Sequence, residues 1–127
     1  MGYNNNIQFS DNIEKVIKNA SKIALRFGSQ LVGTEHILYG IVSIQDCLAS
    51  KLLRDYGVTE NELFDLFEQS FSGISIFGNV ELTPRTKELF KQAQQIAMQF
   101  NHSFIGTEHL LLAMISNKSC YATKVLI

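Results

Sequence analysis

Three histidines and a dozen carboxylates are the groups in this sequence that could do chemistry, and two of the histidines sit in one repeated setting. Gly33-Thr34-Glu35-His36 returns as Gly106-Thr107-Glu108-His109, 73 residues later. A Glu-His step invites an acid-base or metal reading. On a helix, however, adjacent side chains point about 100° apart, so neither pair converges on a common point. The sequence holds no His-Glu-x-x-His, no Cys-x-x-Cys and no Gly-x-Ser-x-Gly. Gly28 and Gly33 have the outer spacing of a phosphate loop, but Thr34 stands where the lysine belongs, and the stretch joins helix to helix. Nucleotide binding is rejected, and no metal site is expected. The simpler role for each histidine is to cover a helix start or to pack between the repeats.

The glutamates allow two readings. A carboxylate in the first turn of a helix gains about 0.3–1 kcal/mol from the helix dipole, which suffices for one copy. It explains less well why the tetrapeptide is identical in both copies while neighbouring charges reverse, as at Glu14/Lys87 and Lys15/Glu88. The sharper reading gives each carboxylate a cationic ligand. Ser10 and Thr83 open helices nearby and offer hydroxyls and unpaired backbone N–H groups, which suit an anion. The two together would fit a ligand bearing both charges.

The elements around these groups repeat with them. Between residues 10–54 and 83–127, 15 of 45 positions are identical without a gap, which indicates an internal duplication. Ser10 is an N-cap with Asp11 in the first turn, and Ile13, Val16, Ile17, Ala20, Ile23, Ala24 and Phe27 follow at the spacing of one buried helix face. Gly28 then suits a left-handed C-terminal position. In the second copy Thr83 is the N-cap, Pro84 takes the first helical position, and Asn101 replaces Gly28. A short loop leads to each tetrapeptide, with Thr34 and Thr107 read as N-caps of a second helix. Asp46 and Ser119 are read as caps of a third. Thr59-Glu60-Asn61-Glu62 is a capping box opening a fourth helix with Leu63, Phe64, Leu66 and Phe67. Residues 1–8 are expected to fray.

The expected fold is an all-α, pseudo-twofold bundle of two tandem repeats within one domain, residues 1–127. Repeat one spans about 7–70, the linker 71–82, and repeat two 83–127. The second copy stops at Ile127 in its third helix, so seven helices are expected, and the apolar end Val125-Leu126-Ile127 reads as a truncation. A net charge of −1 gives no general pull toward nucleic acid or anionic membrane. No apolar run approaches the length of a membrane span, and no signal peptide is visible. Cys47 and Cys120 occupy equivalent places and read as small buried hydrophobes rather than a bridge. These features suggest a soluble, reducing, cytoplasmic setting.

The doubled Gly-Thr-Glu-His before an aliphatic helix, with Ser10 and Thr83-Pro84-Arg85 opening the first helices, resembles the Clp amino-terminal (Clp repeat) domain. It is most similar to that of the ClpC-type AAA+ unfoldases, and the resemblance covers residues 7–127. It implies an eight-helix bundle of two four-helix repeats. It also implies a domain that docks adaptors and substrates ahead of ATPase rings feeding the ClpP peptidase, and that in some bacteria recognises phosphoarginine. Carried over residue by residue, Glu35 and Glu108 would pair with the guanidinium, while Ser10 and Thr83 would hold the phosphate. Ser10 stands where the family has threonine, and Pro84 has no counterpart in the first copy. No cofactor is implied for this chain, since ATP and Mg would belong to ATPase domains it lacks. Two rival readings are a docking module of the same fold indifferent to phosphoarginine, and a small hydrolase built on the Glu-His pairs.

Overall fold

The computed structural model describes residues 8–70 and 73–116. Six helices carry the fold: α1 (Asp11–Arg26), α2 (Thr34–Val42), α3 (Leu48–Asp55), α4 (Glu60–Ser70), α5 (Pro84–Gln99) and α6 (Thr107–Ser116). The architecture is an all-α bundle. The seventh helix, Ser119 as its cap, Cys120 and the apolar end all fall outside the described residues.

α1 and α2 pack against each other, and α5 and α6 form the counterpart pair. The face of α1 expected from spacing is the buried one, with Ile13, Val16, Ala20 and Ala24 wholly enclosed. α2 is buried nearly all round, as its high apolar content requires: Thr34, His36, Ile37, Leu38, Gly40, Ile41 and Val42 are all inside. Cross-repeat packing of α2 on α5 and of α3 on α6 joins the halves into one core. α1 ends at Gly28 (φ +81°) and α5 at Asn101 (φ +58°), so both residues hold the left-handed position their types suit.

At Gly40 the backbone of α2 lies close against that of α1. A Cβ there would lie 2.5 Å from the backbone oxygen of Val16, and a backbone atom cannot swing away. Gly40→Ala should therefore lower the urea unfolding midpoint. Overpacking costs about 1–3 kcal/mol, against the roughly 1 kcal/mol that alanine gains over glycine within a helix. An unchanged or raised midpoint would show that the helices separate freely.

Three local expectations need correction. Helix α2 begins at Thr34 with Gly33 as N-cap, so Thr34 is the first helical residue and not the cap; α6 likewise starts at Thr107. The cap of α3 is Cys47 rather than Asp46, because Cys47 supplies the extended backbone and its carbonyl accepts from the Lys51 N–H at 3.1 Å. Cys47 is a half-buried free thiol. Thr59 does open α4, accepting from the Glu62 N–H at 3.2 Å.

The start of the described chain, the loops before the tetrapeptides and the end of the linker contain a feature absent from the expectations, and Gln8, expected to fray, is part of it. Four two-residue strands, β1 (Gln8–Phe9), β2 (Leu31–Val32), β3 (Glu81–Leu82) and β4 (Phe104–Ile105), form two parallel pairs. β1 pairs with β4 and β2 with β3, so each ladder joins one repeat to the other.

Candidate functional site

Each strand leads directly into a helix, so each ladder sets two helix starts side by side. The Ser10 N–H donates to the Ile105 carbonyl at 3.0 Å, and the Thr83 N–H to the Val32 carbonyl at 3.1 Å. Ile105 and Val32 immediately precede Gly106 and Gly33. The hydroxyl of one repeat therefore lies beside the tetrapeptide of the other: Ser10 with Glu108, and Thr83 with Glu35. An open cavity holds the first set, lined by Ser10, Asn12, Phe104, Thr107, Glu108 and His102 among others.

The N-cap roles of Ser10 and Thr83 hold. Ser10 Oγ accepts from the Ile13 N–H at 3.2 Å and Thr83 Oγ1 from the Thr86 N–H at 3.1 Å. The first-turn amides of Asp11 and Asn12 are left without an intrahelical acceptor, the usual condition for holding an anion. The second start differs in detail. Pro84 removes one donor there, and buried Thr86 ties Thr83 to β2, its hydroxyl lying 2.8 Å from that of Thr83 and donating to the Val32 carbonyl at 2.9 Å.

The glycines of the tetrapeptide serve the glutamates. A Cβ on Gly33 would collide with the Glu35 carboxylate, and one on Gly106 with that of Glu108. Gly33 has ordinary extended backbone (φ −91°, ψ 176°), so space and not conformation calls for glycine. Each carboxylate thus folds back over its own helix start. Glu35 is half-buried and Glu108 exposed.

The histidines have structural employment. His36 Nδ1 accepts from the Gly33 N–H at 2.9 Å, and His109 Nδ1 from the Gly106 N–H at 2.8 Å. This is the return half of a capping box, made by an imidazole where Glu or Gln is usual; the glycine has no side chain to make the other half. An Nδ1 that accepts places the ring proton on Nε2. In His109 that proton points at His102 Nδ1, 2.7 Å away. His102 has no counterpart in the first repeat, where Ser29 stands. The arrangement removes the base from a Glu-His hydrolase and blocks metal ligation by either buried ring without loss of its helix-start bond. Among the described residues no group of three or more His, Cys, Asp or Glu is placed to hold a metal ion.

Burial pushes both imidazoles below their ordinary pKa. At His36 the neighbouring Glu35 opposes this, and at His109 Glu108 opposes it while His102 adds to it. The folded chain therefore binds fewer protons than the unfolded chain once pH falls below the free-histidine value of about 6.5. Stability is full above that pH and declines as pH drops toward the lowered folded value. Melting temperature should fall between about pH 7 and pH 5. The fall should shrink in a His36→Gln/His109→Gln variant, where the amide oxygen keeps the acceptor without the titration. Equal pH profiles for the two proteins would refute this account.

The sequence profile described as "Clp repeat (R) N-terminal domain" matches residues 8–127. The chain belongs to the Clp repeat N-terminal domain family. Among curated relatives, the ATP-dependent Clp protease ATP-binding subunit ClpC of Staphylococcus aureus (strain USA300) is 29% identical over 119 residues, which is 93% of this chain and 14% of that protein. The Staphylococcus epidermidis ClpC is likewise 29% identical, over 93% of this chain and 15% of its own length. This chain therefore spans about one-seventh of those relatives. Solved Clp N-terminal domains share the fold. That of Candida albicans Hsp104 has a TM-score of 0.72 at 21% identity, covering 88% of this chain and 76% of that one. That of Arabidopsis thaliana ClpD has a TM-score of 0.69 at 18% identity, covering 88% and 81%. No helix among the described residues is long and apolar enough to cross a membrane.

The Clp repeat fold thus brings all four expected site residues into two clusters. Their cross-repeat pairing was not foreseen, and neither were His102 and the glycine–carboxylate contact. His102 could have been suspected from the sequence, as a titratable residue where the repeats differ. Nothing local signals the pairing.

Proposed function

We propose that the chain is the substrate- and adaptor-binding N-terminal domain of a ClpC-like, ATP-dependent protease chaperone, and that it reads phosphoarginine at two pseudo-symmetric sites. The observation that carries this is the juxtaposition of a hydroxyl-capped helix start with a carboxylate from the other repeat, Ser10 with Glu108 and Thr83 with Glu35. Phosphoarginine has an anionic end and a cationic end. The helix-start amides and the hydroxyl suit its phosphoryl group, and the carboxylate suits its guanidinium through a charge-assisted, bidentate contact. The domain needs no cofactor of its own. ATP hydrolysis, and the link to a ClpP peptidase in the cytoplasm, belong to the remainder of such a protein. Two shallow sites, repeated around an oligomeric ring, would act by avidity.

Calorimetric titration with free phosphoarginine tests the reading. Binding near two molecules per chain is expected, with no heat from arginine or phosphate alone. Absence of heat from a folded chain would leave the second reading, a docking module for adaptors or unfolded segments. That reading is favoured by Ile74 and Phe77, which stand 84% and 94% exposed on the segment between the repeats.

A further inference from the structure

A row of cations runs along the outer face of α1 away from the first site. Lys15, Lys18, Lys22 and Arg26 follow one another at intervals of three or four residues, so they share a face, and all four are exposed. They overlook a groove. α1 forms one wall, the segment after α2 (Ser43, Ile44, Gln45) forms the other, and Asn19 Nδ2 donates to Ser43 Oγ at 2.8 Å between them. The near stretch has a volume of ≈ 360 Å³ and the far stretch, reaching Arg26 and Tyr39, ≈ 520 Å³. The two share Asn19, Lys22, Ser43 and Gln45, and Asn12 lines both the near stretch and the first site. Site and groove thus adjoin at Asn12, as a trough running along α1.

We propose that this trough takes an acidic, extended polypeptide segment, the continuation of the chain whose marked residue occupies the Ser10/Glu108 site; only that starting point rests on the function proposed above. Two observations favour an acidic partner, and a third favours a polypeptide. No ion pair holds Lys15, Lys18 or Lys22 to a neighbouring carboxylate among the described residues, although Asp11 and Glu14 share the helix and Asp46 and Glu60 edge the groove. The row is peculiar to one repeat: Glu88, Lys91, Gln95 and Gln99 hold the corresponding places on α5, so the fold does not demand it. The groove also offers the Gln45 amide and the Asn19 side-chain carbonyl, which suit a peptide backbone; the Ser43 hydroxyl is engaged, accepting from Asn19 and donating to the Gly40 carbonyl at 2.6 Å. Its aromatic lining is the half-buried Tyr39 at the far end, whereas single-stranded nucleic acid needs a series of stacking platforms. The 16 residues of α1 rise about 24 Å, the span of roughly seven extended residues.

Fluorescence anisotropy with short peptides tests the assignment. One peptide carries phosphoarginine at one end followed by a run of Asp and Glu; a second replaces that run with Asn and Gln; a third is the acidic peptide with plain arginine. At low salt the acidic marked peptide should bind about tenfold more tightly than its neutral counterpart, an advantage that salt erodes. A Lys15→Gln/Lys18→Gln/Lys22→Gln chain should lose the advantage and still bind free phosphoarginine as before. Equal affinity for acidic and neutral peptides overturns the proposal. So does an advantage that survives in the triple variant, or displacement of the peptide by a lower concentration of a single-stranded oligonucleotide. If marked and unmarked acidic peptides bind alike, both depending on the lysines, the phosphoarginine reading fails and the acidic trough stands. If the mark binds without an acidic preference, the trough fails and the mark stands.

Discussion

Replacing Glu35 and Glu108 together with alanine should abolish measurable phosphoarginine binding and leave the chain folded. Neither carboxylate supports the core, since Glu35 is half-buried and Glu108 exposed. Each would give a guanidinium its charge-assisted partner, and losing such a contact costs about 1.5–3 kcal/mol, or roughly tenfold to a hundredfold in affinity at each site. The glycines give an independent handle on the same atoms. In a Gly33→Ala/Gly106→Ala variant the new methyl groups would occupy the space of the two carboxylates. The displaced atoms are the far ends of flexible side chains and the Gly33 backbone tolerates alanine, so the fold should persist while affinity drops. Calorimetry beside circular dichroism reads both effects. Full binding by the double glutamate variant would show that the carboxylates only favour helix starts.

Phe67→Ala should be the most damaging single core change, at about 3–5 kcal/mol in urea unfolding. Phe67 is 1% exposed, and its ring lies 5.8 Å from that of Phe27, 5.8 Å from that of His36 and 6.0 Å from that of Tyr39. It and Leu63 are the buried residues of α4, so truncation removes one of the two side chains that anchor that helix in the core. Against a total stability of about 5–15 kcal/mol the loss is large. Because the ring also backs His36, the change should loosen the start of α2 and weaken the Thr83/Glu35 site more than the Ser10/Glu108 site. A cost under about 1 kcal/mol would mean that the cavity collapses freely.

The parts of this structure that sequence made legible are those governed by local rules. Helix faces with 3.6-residue spacing, the hydroxyl caps Ser10 and Thr83, and the left-handed Gly28 and Asn101 depend on nearest neighbours. The strands were illegible because two residues cannot display a period of two. Thr34 and Thr107 misled because threonine is a better cap than glycine when only the cap bond is weighed. Here the imidazole one turn later captures the glycine N–H, and the carboxylate needs the room a Cβ would fill. Asp46 misled similarly, being a good cap type one residue before Cys47, the last extended residue ahead of the helix that starts at Leu48. The basic row on α1 was written in the sequence, but only the wall opposite it makes it a groove.

The exchange of strands between the halves bears on how such a chain could arise. A lone ancestral repeat would own a hydroxyl and a carboxylate that never meet. Two copies related by a twofold axis would complete two identical sites, each shared between subunits. Joining the copies in one gene released that constraint, because a change in one half then altered each site differently. Ser10 against Thr83, His102 against Ser29, and Lys15, Lys22 and Arg26 of α1 against Glu88, Gln95 and Gln99 of α5 are differences of that kind. A dimer of identical subunits must carry every substitution in both of its sites; the fused chain can keep one as it is and adapt the other.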